Sequence, residues 1–372
     1  MSEPHVFFSF FPQFNADPIN DKAWGEGFTD WDLIRDLPEA ARQKFTPYSG
    51  FYDPSTPEYL TQLQLELAKL PIENPGLMVY HYHFDGVYAL SRFEQQVLRQ
   101  KENAPPFFLC WANETWSKRW IGKPLDVLIE QQHLASVEVI HAHAVYLTQF
   151  FKLPSYHHVD GRPLLLIYNV QASQSLPQVL KIYRKAFEAL GQNPLIGACI
   201  AHPQPDSQLK PYDFGCEFQP RFFFNHRTPS GLAKNAAKLK MRFPKLFDWL
   251  GTQRDSLRRN SGGQIFEFRH YLEALSSGKL EAALRSCTGD LPLMRSTFLS
   301  WDNAPRYRRR STQVTHDTVD AAALGVIHGV RSDSGLPLLV NSWNEWSEGA
   351  ALESSLQPHR LRIEFLQCLA EL

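Results

Sequence analysis

The chain has 372 residues, enough to bury a full core and suited to one large α/β barrel or two ordinary domains. Lysine and arginine number 38 against 39 for aspartate and glutamate, a formal net charge of -1, so charge alone draws neither nucleic acid nor an acidic membrane surface. The five cysteines (Cys110, Cys199, Cys216, Cys287 and Cys368) form no C-x-x-C and leave one unpaired, and they read as buried reduced thiols.

The first apolar run, Val6 to Phe11, has no basic segment before it and no small-residue cleavage site after it, so it reads as a strand and not as a signal peptide. Seven similar runs follow: Leu77 to Tyr82, Phe107 to Trp111, Leu164 to Tyr168, Ile196 to Ala201, Phe214 to Phe218, Ser296 to Trp301 and Leu338 to Asn341. Near-continuous apolar runs are what a parallel sheet covered on both faces requires. Helical patterns alternate with them at Pro57 to Leu70, Leu90 to Lys101, Val137 to Phe151, Leu176 to Leu190, Thr318 to His328 and Leu361 to Leu369. Eight strands alternating with helices predict a (β/α)8 TIM barrel across residues 1–372, with its active site at the C-terminal ends of the strands. The connection from Arg221 to Leu293 is too long for one ordinary crossover. It reads as a helical insertion after strand six, residues 221–293, carrying helices at Lys234 to Trp249 and Gln264 to Ser286. A doubly wound sheet is the alternative. No apolar stretch approaches the roughly 20 residues that span a bilayer, so a soluble, cytoplasmic protein is expected, unless the chain is one domain of a longer one.

Polar and aromatic residues concentrate just after the predicted strands. Strand one is followed by Trp24, Glu26, Asp30 and Trp31; strand two by His81 and Tyr82; strand three by Trp111, Asn113 and Glu114; strand seven by Trp301, Asp302 and, beyond them, Arg306. Strand eight runs into Ser342-Trp343-Asn344-Glu345-Trp346-Ser347-Glu348-Gly349. Glu345 and Glu348 stand three residues apart, and on one helical turn such a pair has Cβ atoms roughly 5–6 Å apart. Glycosidic bond chemistry uses two carboxyl groups across one sugar ring, about 5–5.5 Å apart in retaining enzymes. Trp343 and Trp346 are expected to offer flat faces to sugar C–H groups. One of His81 and His83 is expected to face the centre, and with no third ligand at diagnostic spacing no metal site is predicted. No cofactor is predicted either, since P-loop, G-x-G-x-x-G and G-x-S-x-G patterns do not occur. Asp30-Trp31-Asp32 is a D-x-D tripeptide of the sort nucleotide-sugar transferases use, here without a preceding Rossmann-type unit.

Together these stretches resemble the WbsX family, proteins of lipopolysaccharide and O-antigen gene clusters with a glycoside hydrolase family 99-like domain. The matching residues are Phe11-Pro12-Gln13-Phe14, Asn20-Asp21, Trp24 to Trp31, Tyr80-His81-Tyr82, Cys110 to Glu114, Arg119-Trp120, Ile129-Glu130-Gln131, Trp301-Asp302-Asn303 and Trp343 to Gly349. The chain departs from the usual pattern at Asn15, His83, Asp85 and Thr115, which bears on subsite specificity. The resemblance implies a barrel, carbohydrate chemistry and catalysis by Glu345 and Glu348. Glu345 would draw the proton from a sugar 2-hydroxyl that then attacks C1. Glu348, its pKa raised, would protonate the leaving oxygen and later activate water or an acceptor.

The leading expectation is therefore a retaining endo-glycosidase or transglycosylase acting on an α-mannoside-like linkage. Its substrate would be a surface polysaccharide or its lipid-linked precursor in lipopolysaccharide or O-antigen biosynthesis, and association with other enzymes of surface-glycan production is a further expectation. The alternatives are a nucleotide-sugar-dependent glycosyltransferase and a non-catalytic glycan-binding module. Asn344 and Trp346 complete the expected substrate-binding set, with Glu114 placed in a subsite and not in the catalytic pair.

Overall fold

The computed structural model describes residues 5–372 except 102–103, 119–122, 134–135, 206–207, 227–262 and 334. Among the described residues, eight strands form the parallel wall of the central sheet: β1 (Val6–Phe10), β2 (Gly76–Phe84), β3 (Phe107–Trp111), β4 (Arg162–Ile167), β5 (Leu195–Ile200), β6 (Phe214–Glu217), β7 in two segments (Leu293–Met294 and Ser296–Phe298) and β8 (Leu338–Asn341). Each coincides with one of the eight apolar runs, in the same order, except that β7 begins at Leu293, three residues before its run. Successive neighbours from β1 to β6 pair in parallel, β8 pairs with β1, and β7 pairs with β6 through its first segment and with β8 through its second. The sheet thus returns on itself as a barrel. The break in β7 falls at Arg295, whose backbone N–H donates to Ser332 Oγ at 2.8 Å instead of to a neighbouring strand.

All five residues of β1 are buried, as a strand covered by helices on one side and the barrel interior on the other demands. Size is matched across the seam: a Cβ at Gly76 would lie 2.3 Å from the Phe7 ring, so β2 begins with the one residue that lets that ring lie flat against it. Helices start where capping chemistry permits. Thr56 accepts from the N–H of Tyr59 at the head of Pro57–Leu67, and Ser136 accepts from Val139 at the head of Val137–Phe151.

Two expected helices differ. Thr318 to His328 is a 3-10 helix, Ala322–Gly329, on a stretch interrupted by Gly325. Gln264 to Ser286 opens with a strand, Gln264–Glu267, parallel to Thr312–Thr315, before the helices Phe268–Ser276 and Lys279–Thr288. A four-residue run such as Gln264–Glu267 takes its form from the ladder partner it finds, and here that partner follows β7. The expected helix Lys234 to Trp249 lies outside the described residues, as do Arg119 and Trp120. Among the described residues, no helix is long and apolar enough to cross a membrane.

Candidate active site

Strand β8 leaves the barrel through a cis Asn341–Ser342 peptide and turns into a 3-10 helix, Trp346–Glu348, with Glu345 at its head. The turn closes at Gly349, at φ +60°, where a Cβ would come 2.7 Å from the carbonyl oxygen of Asp302 and 2.9 Å from its nitrogen. Asp302 N–H donates to Glu348 O at 2.8 Å, so the loop after β7 is stitched to the carboxylate turn at this point. Gly349→Ala is accordingly expected to cost about 2–4 kcal/mol, from positive-φ strain together with backbone overlap. Urea unfolding checks this, and a loss below about 0.5 kcal/mol would contradict the close approach.

Glu345 and Glu348 are only 7% and 4% exposed, and one guanidinium reaches both. Arg306 Nη1 donates to Glu348 Oε1 at 2.7 Å, while its Nη2 donates to Asp30 Oδ2 at 2.9 Å and stands 3.7 Å from Glu345 Oε2. Ser347 Oγ also donates to Asp30. Burial works against the charge of Arg306, and Asp30, Glu348 and Glu345 outweigh it. Glu345 Oε2 has no hydrogen-bond partner among the described residues. Its carboxyl is pushed up to about 8, first by burial and then by the charge of Glu348, with Arg306 pulling the other way. The carboxyl raised by its surroundings is thus the one the resemblance casts as base.

Around this centre stand Tyr80 and Tyr82 of β2, both within the electrostatic reach of Glu345, with phenol pKa values raised by burial. Their neighbours His81 and His83 lie together on the opposite face, because side chains two apart on a strand share a side. His81 binds Glu94 and His143, and His83 stacks on His143 at 3.7 Å, against the helix Val137–Phe151. Neither histidine faces the centre, which corrects that expectation for His81.

Several other expected sugar contacts belong to the frame. Trp343 and Trp346 are 1% exposed, Trp31 stacks on Phe14 at 4.0 Å, and Trp111 gives its indole N–H to His83 O. These indoles fill the layer beneath the site and offer sugar no face. Asn344 accepts from Phe11 N at 2.7 Å and donates to Phe11 O at 2.9 Å, clamping β8 to β1. Asn113 does the same with the backbone of Asn169, at 2.8 and 2.9 Å, clamping β3 to the end of β4. Asp302 pairs with Lys44, and Trp301 is buried beneath Arg221. Glu114 and Glu26 are exposed, Trp24 is half-buried with Lys118 over its ring at 5.4 Å, and Glu114 accepts from Asn169 Nδ2 at 3.3 Å. The D-x-D tripeptide is occupied within the protein: Asp30 by Arg306 and Ser347, Asp32 by the Thr29 cap and Arg35.

Two arginines at the site carry little sequence signal: Arg306 stands out only as a neighbour of Asp302, and Arg221, four residues after the end of β6, by nothing local. Glu353 was also missed. It is buried and accepts from Trp346 Nε1 at 2.9 Å and Tyr52 Oη at 2.7 Å, so it holds the ring that lies between the two site glutamates in sequence. Burial pushes its carboxyl up to about 8. A folded value above the unfolded value of about 4.3 favours the protonated fold. The stability contribution is then complete below pH 4 and is lost as pH rises to about 8. Glu353→Gln, which keeps an acceptor and cannot ionise, should flatten part of the fall in unfolding free energy between pH 5 and pH 9. The part removed is about 2–4 kcal/mol, and identical pH profiles for the two proteins would refute this.

A mostly parallel barrel with paired carboxyl groups at the C-terminal ends of its strands is an architecture that glycoside-processing enzymes use among others. The family model Glycosyltransferase WbsX matches residues 6–367, and the chain belongs to that family. Among curated relatives, the protein WxcX of Xanthomonas campestris pv. campestris strain B100 is 29% identical over 358 residues, which is 92% of this chain and 46% of WxcX. WxcX of strain ATCC 33913 is 28% identical over the same coverage. The chain spans about half the length of these relatives. Among solved structures, the GH99 endo-alpha-mannosidase of Bacteroides thetaiotaomicron in complex with BIS-TRIS-propane is similar at a TM-score of 0.52 and 12% identity, covering 98% of this chain and 95% of that one. A second structure of that enzyme gives 0.50 and 13%. At such identity the likeness is one of fold.

Proposed function

We propose that the chain is a retaining carbohydrate-active enzyme of the endo-glycosidase or transglycosylase type. It would act on an α-linked surface polysaccharide, or its lipid-linked precursor, in lipopolysaccharide or O-antigen production. The observation that supports this reading most directly is that Arg306 lies within 4 Å of both Glu345 and Glu348 at the mouth of the barrel, with both carboxyls almost wholly buried. Two carboxyls bridged by one arginine form an acid and base pair, and because burial favours the proton on Glu345, that residue must give the proton up before it acts as the base. In the substrate-assisted route, Glu345 takes the 2-hydroxyl proton while that oxygen attacks C1. Glu348 gives a proton to the departing oxygen, and a second displacement by water or a sugar hydroxyl opens the 1,2-anhydro ring with net retention.

The name of the family favours a second reading, transfer of a glycosyl unit to an acceptor. The same test separates the two. The protein is incubated with defined α-mannosyl oligosaccharides and with the host's O-antigen, with and without GDP-mannose or UDP-sugars, and products are followed by mass spectrometry. Cleaved or rearranged glycans without a nucleotide donor support the glycosidase or transglycosylase reading. Products formed only with a nucleotide donor overturn it in favour of the transferase. No product under any condition overturns both and leaves a glycan-binding module.

A further inference from the structure

Arg221 begins the helix Arg221–His226, four residues after the end of β6, and its side chain reaches toward the mouth of the barrel. Its Nη2 is 3.8 Å from Glu348 Oε1, beyond hydrogen-bond range, and among the described residues its guanidinium makes no hydrogen bond. The side chain is 44% exposed. Its guanidinium carbon lies 6.0 Å from the centre of the buried Trp301 ring, within range for a cation–π contact. Tyr168, Glu348, Tyr307 and Glu114 act on it electrostatically, Tyr168 most, and the two carboxylates are already engaged: Glu348 Oε1 takes the short bond from Arg306, and Glu114 takes one from Asn169.

An arginine supported by an indole, without a hydrogen bond on its donor fork among the described residues and with nearly half its side chain open to solvent, matches the planar or trigonal face of a carboxylate or phosphate. A neutral sugar hydroxyl makes little use of such a fork, and Arg306 already supplies the short charge-assisted bond to Glu348, which leaves Arg221 beside it as a solvent-facing cation. We propose that Arg221 is a specificity residue that receives the anionic group of a charged glycan unit, either a uronate carboxylate or a sugar phosphate, bound beside the bond that Glu345 and Glu348 flank. The proposal rests on the reading of this site as glycan-active and names the class of glycan it takes.

The test is calorimetric titration of the whole chain with methyl α-D-glucuronide, α-D-glucose 1-phosphate, inorganic phosphate and, as the neutral control, methyl α-D-glucoside. At least one charged sugar is expected to bind about tenfold or more tightly than the neutral one, as a charge-assisted hydrogen bond provides. Arg221→Gln should bring it down to the neutral level. Arg221→Lys, which keeps the charge without the fork, should lose most of the discrimination. A preference for the glucuronide assigns a uronate, and a preference for glucose 1-phosphate assigns a phosphorylated sugar. Equal binding of charged and neutral sugars, inorganic phosphate binding as tightly as glucose 1-phosphate, no saturable binding of either charged sugar at millimolar concentration, or unchanged binding in the folded Arg221→Gln protein would each overturn the proposal. Turnover is read separately: charge preference without any turnover leaves Arg221 assigned and removes the enzyme reading, and turnover without charge preference does the reverse.

Discussion

Arg306→Met is expected to destabilise the protein by about 3–5 kcal/mol at pH 8, the cost of leaving buried carboxylates without their cation. Methionine fills much of the same volume, so the loss isolates charge from packing. Arg306 is 7% exposed in its side chain and is the hydrogen-bond donor to Asp30 and Glu348, with Glu345 at 3.7 Å. Without it, the site can lower the cost by keeping Glu345 protonated, which its raised pKa favours more as the solution becomes acid. The penalty should therefore shrink as pH falls from 8 to 5. Urea unfolding at both pH values measures it. A loss below about 1 kcal/mol at pH 8, or one independent of pH, would mean that the carboxyls are solvated and the site is more open than described.

Glu345→Gln and Glu348→Gln should each lower turnover by about 10²- to 10⁴-fold while leaving the protein folded, the range expected for removal of a general acid or base. Their pH dependence carries more information than their magnitude. In the resting site Glu345 is held near 8 by burial and by Glu348, so it is protonated at neutral pH. A base must shed that proton before it can act, so if Glu345 takes the 2-hydroxyl proton, kcat/KM should climb as pH rises toward about 8 and level off above it. An acid would show the opposite limb, and activity falling through pH 8 would exchange the roles of the two glutamates. Near-normal turnover in both variants would remove catalysis from this turn altogether.

The barrel was legible because its strands are covered on both faces: Phe7-Phe8 in β1, Phe107 to Cys110 in β3 and Leu164 to Ile167 in β4 are continuous apolar runs that need no knowledge of their partners. Gln264–Glu267 was not, since its form depends on Thr312–Thr315, which lies beyond all of β7. The glutamate pair was legible for a similar local reason, being three residues apart after a strand. Arg306 and Arg221 make sense only when residues from the loops after β1, β6, β7 and β8 are brought to one point, and no local pattern encodes that. The tryptophans misled for the converse reason. An indole beside acidic residues looks like a sugar platform in one dimension, whereas Trp343 and Trp346 turn inward and Glu353 takes the Trp346 N–H.

The amide clamps at Asn113 and Asn344 bear on how this scaffold can diverge. Each lends its side chain as one extra rung, carrying a strand pairing past the last backbone bond of its seam, and it does so by giving one hydrogen bond and receiving another. A carboxylate at either place can only receive, so aspartate, the nearest isostere, would set a negative charge against a neighbour's carbonyl oxygen. The residue before each rim glutamate is thus tied to the masonry of the wall. Variation in what the mouth accepts is left to positions without such a duty, among them the half-exposed Arg221 after β6.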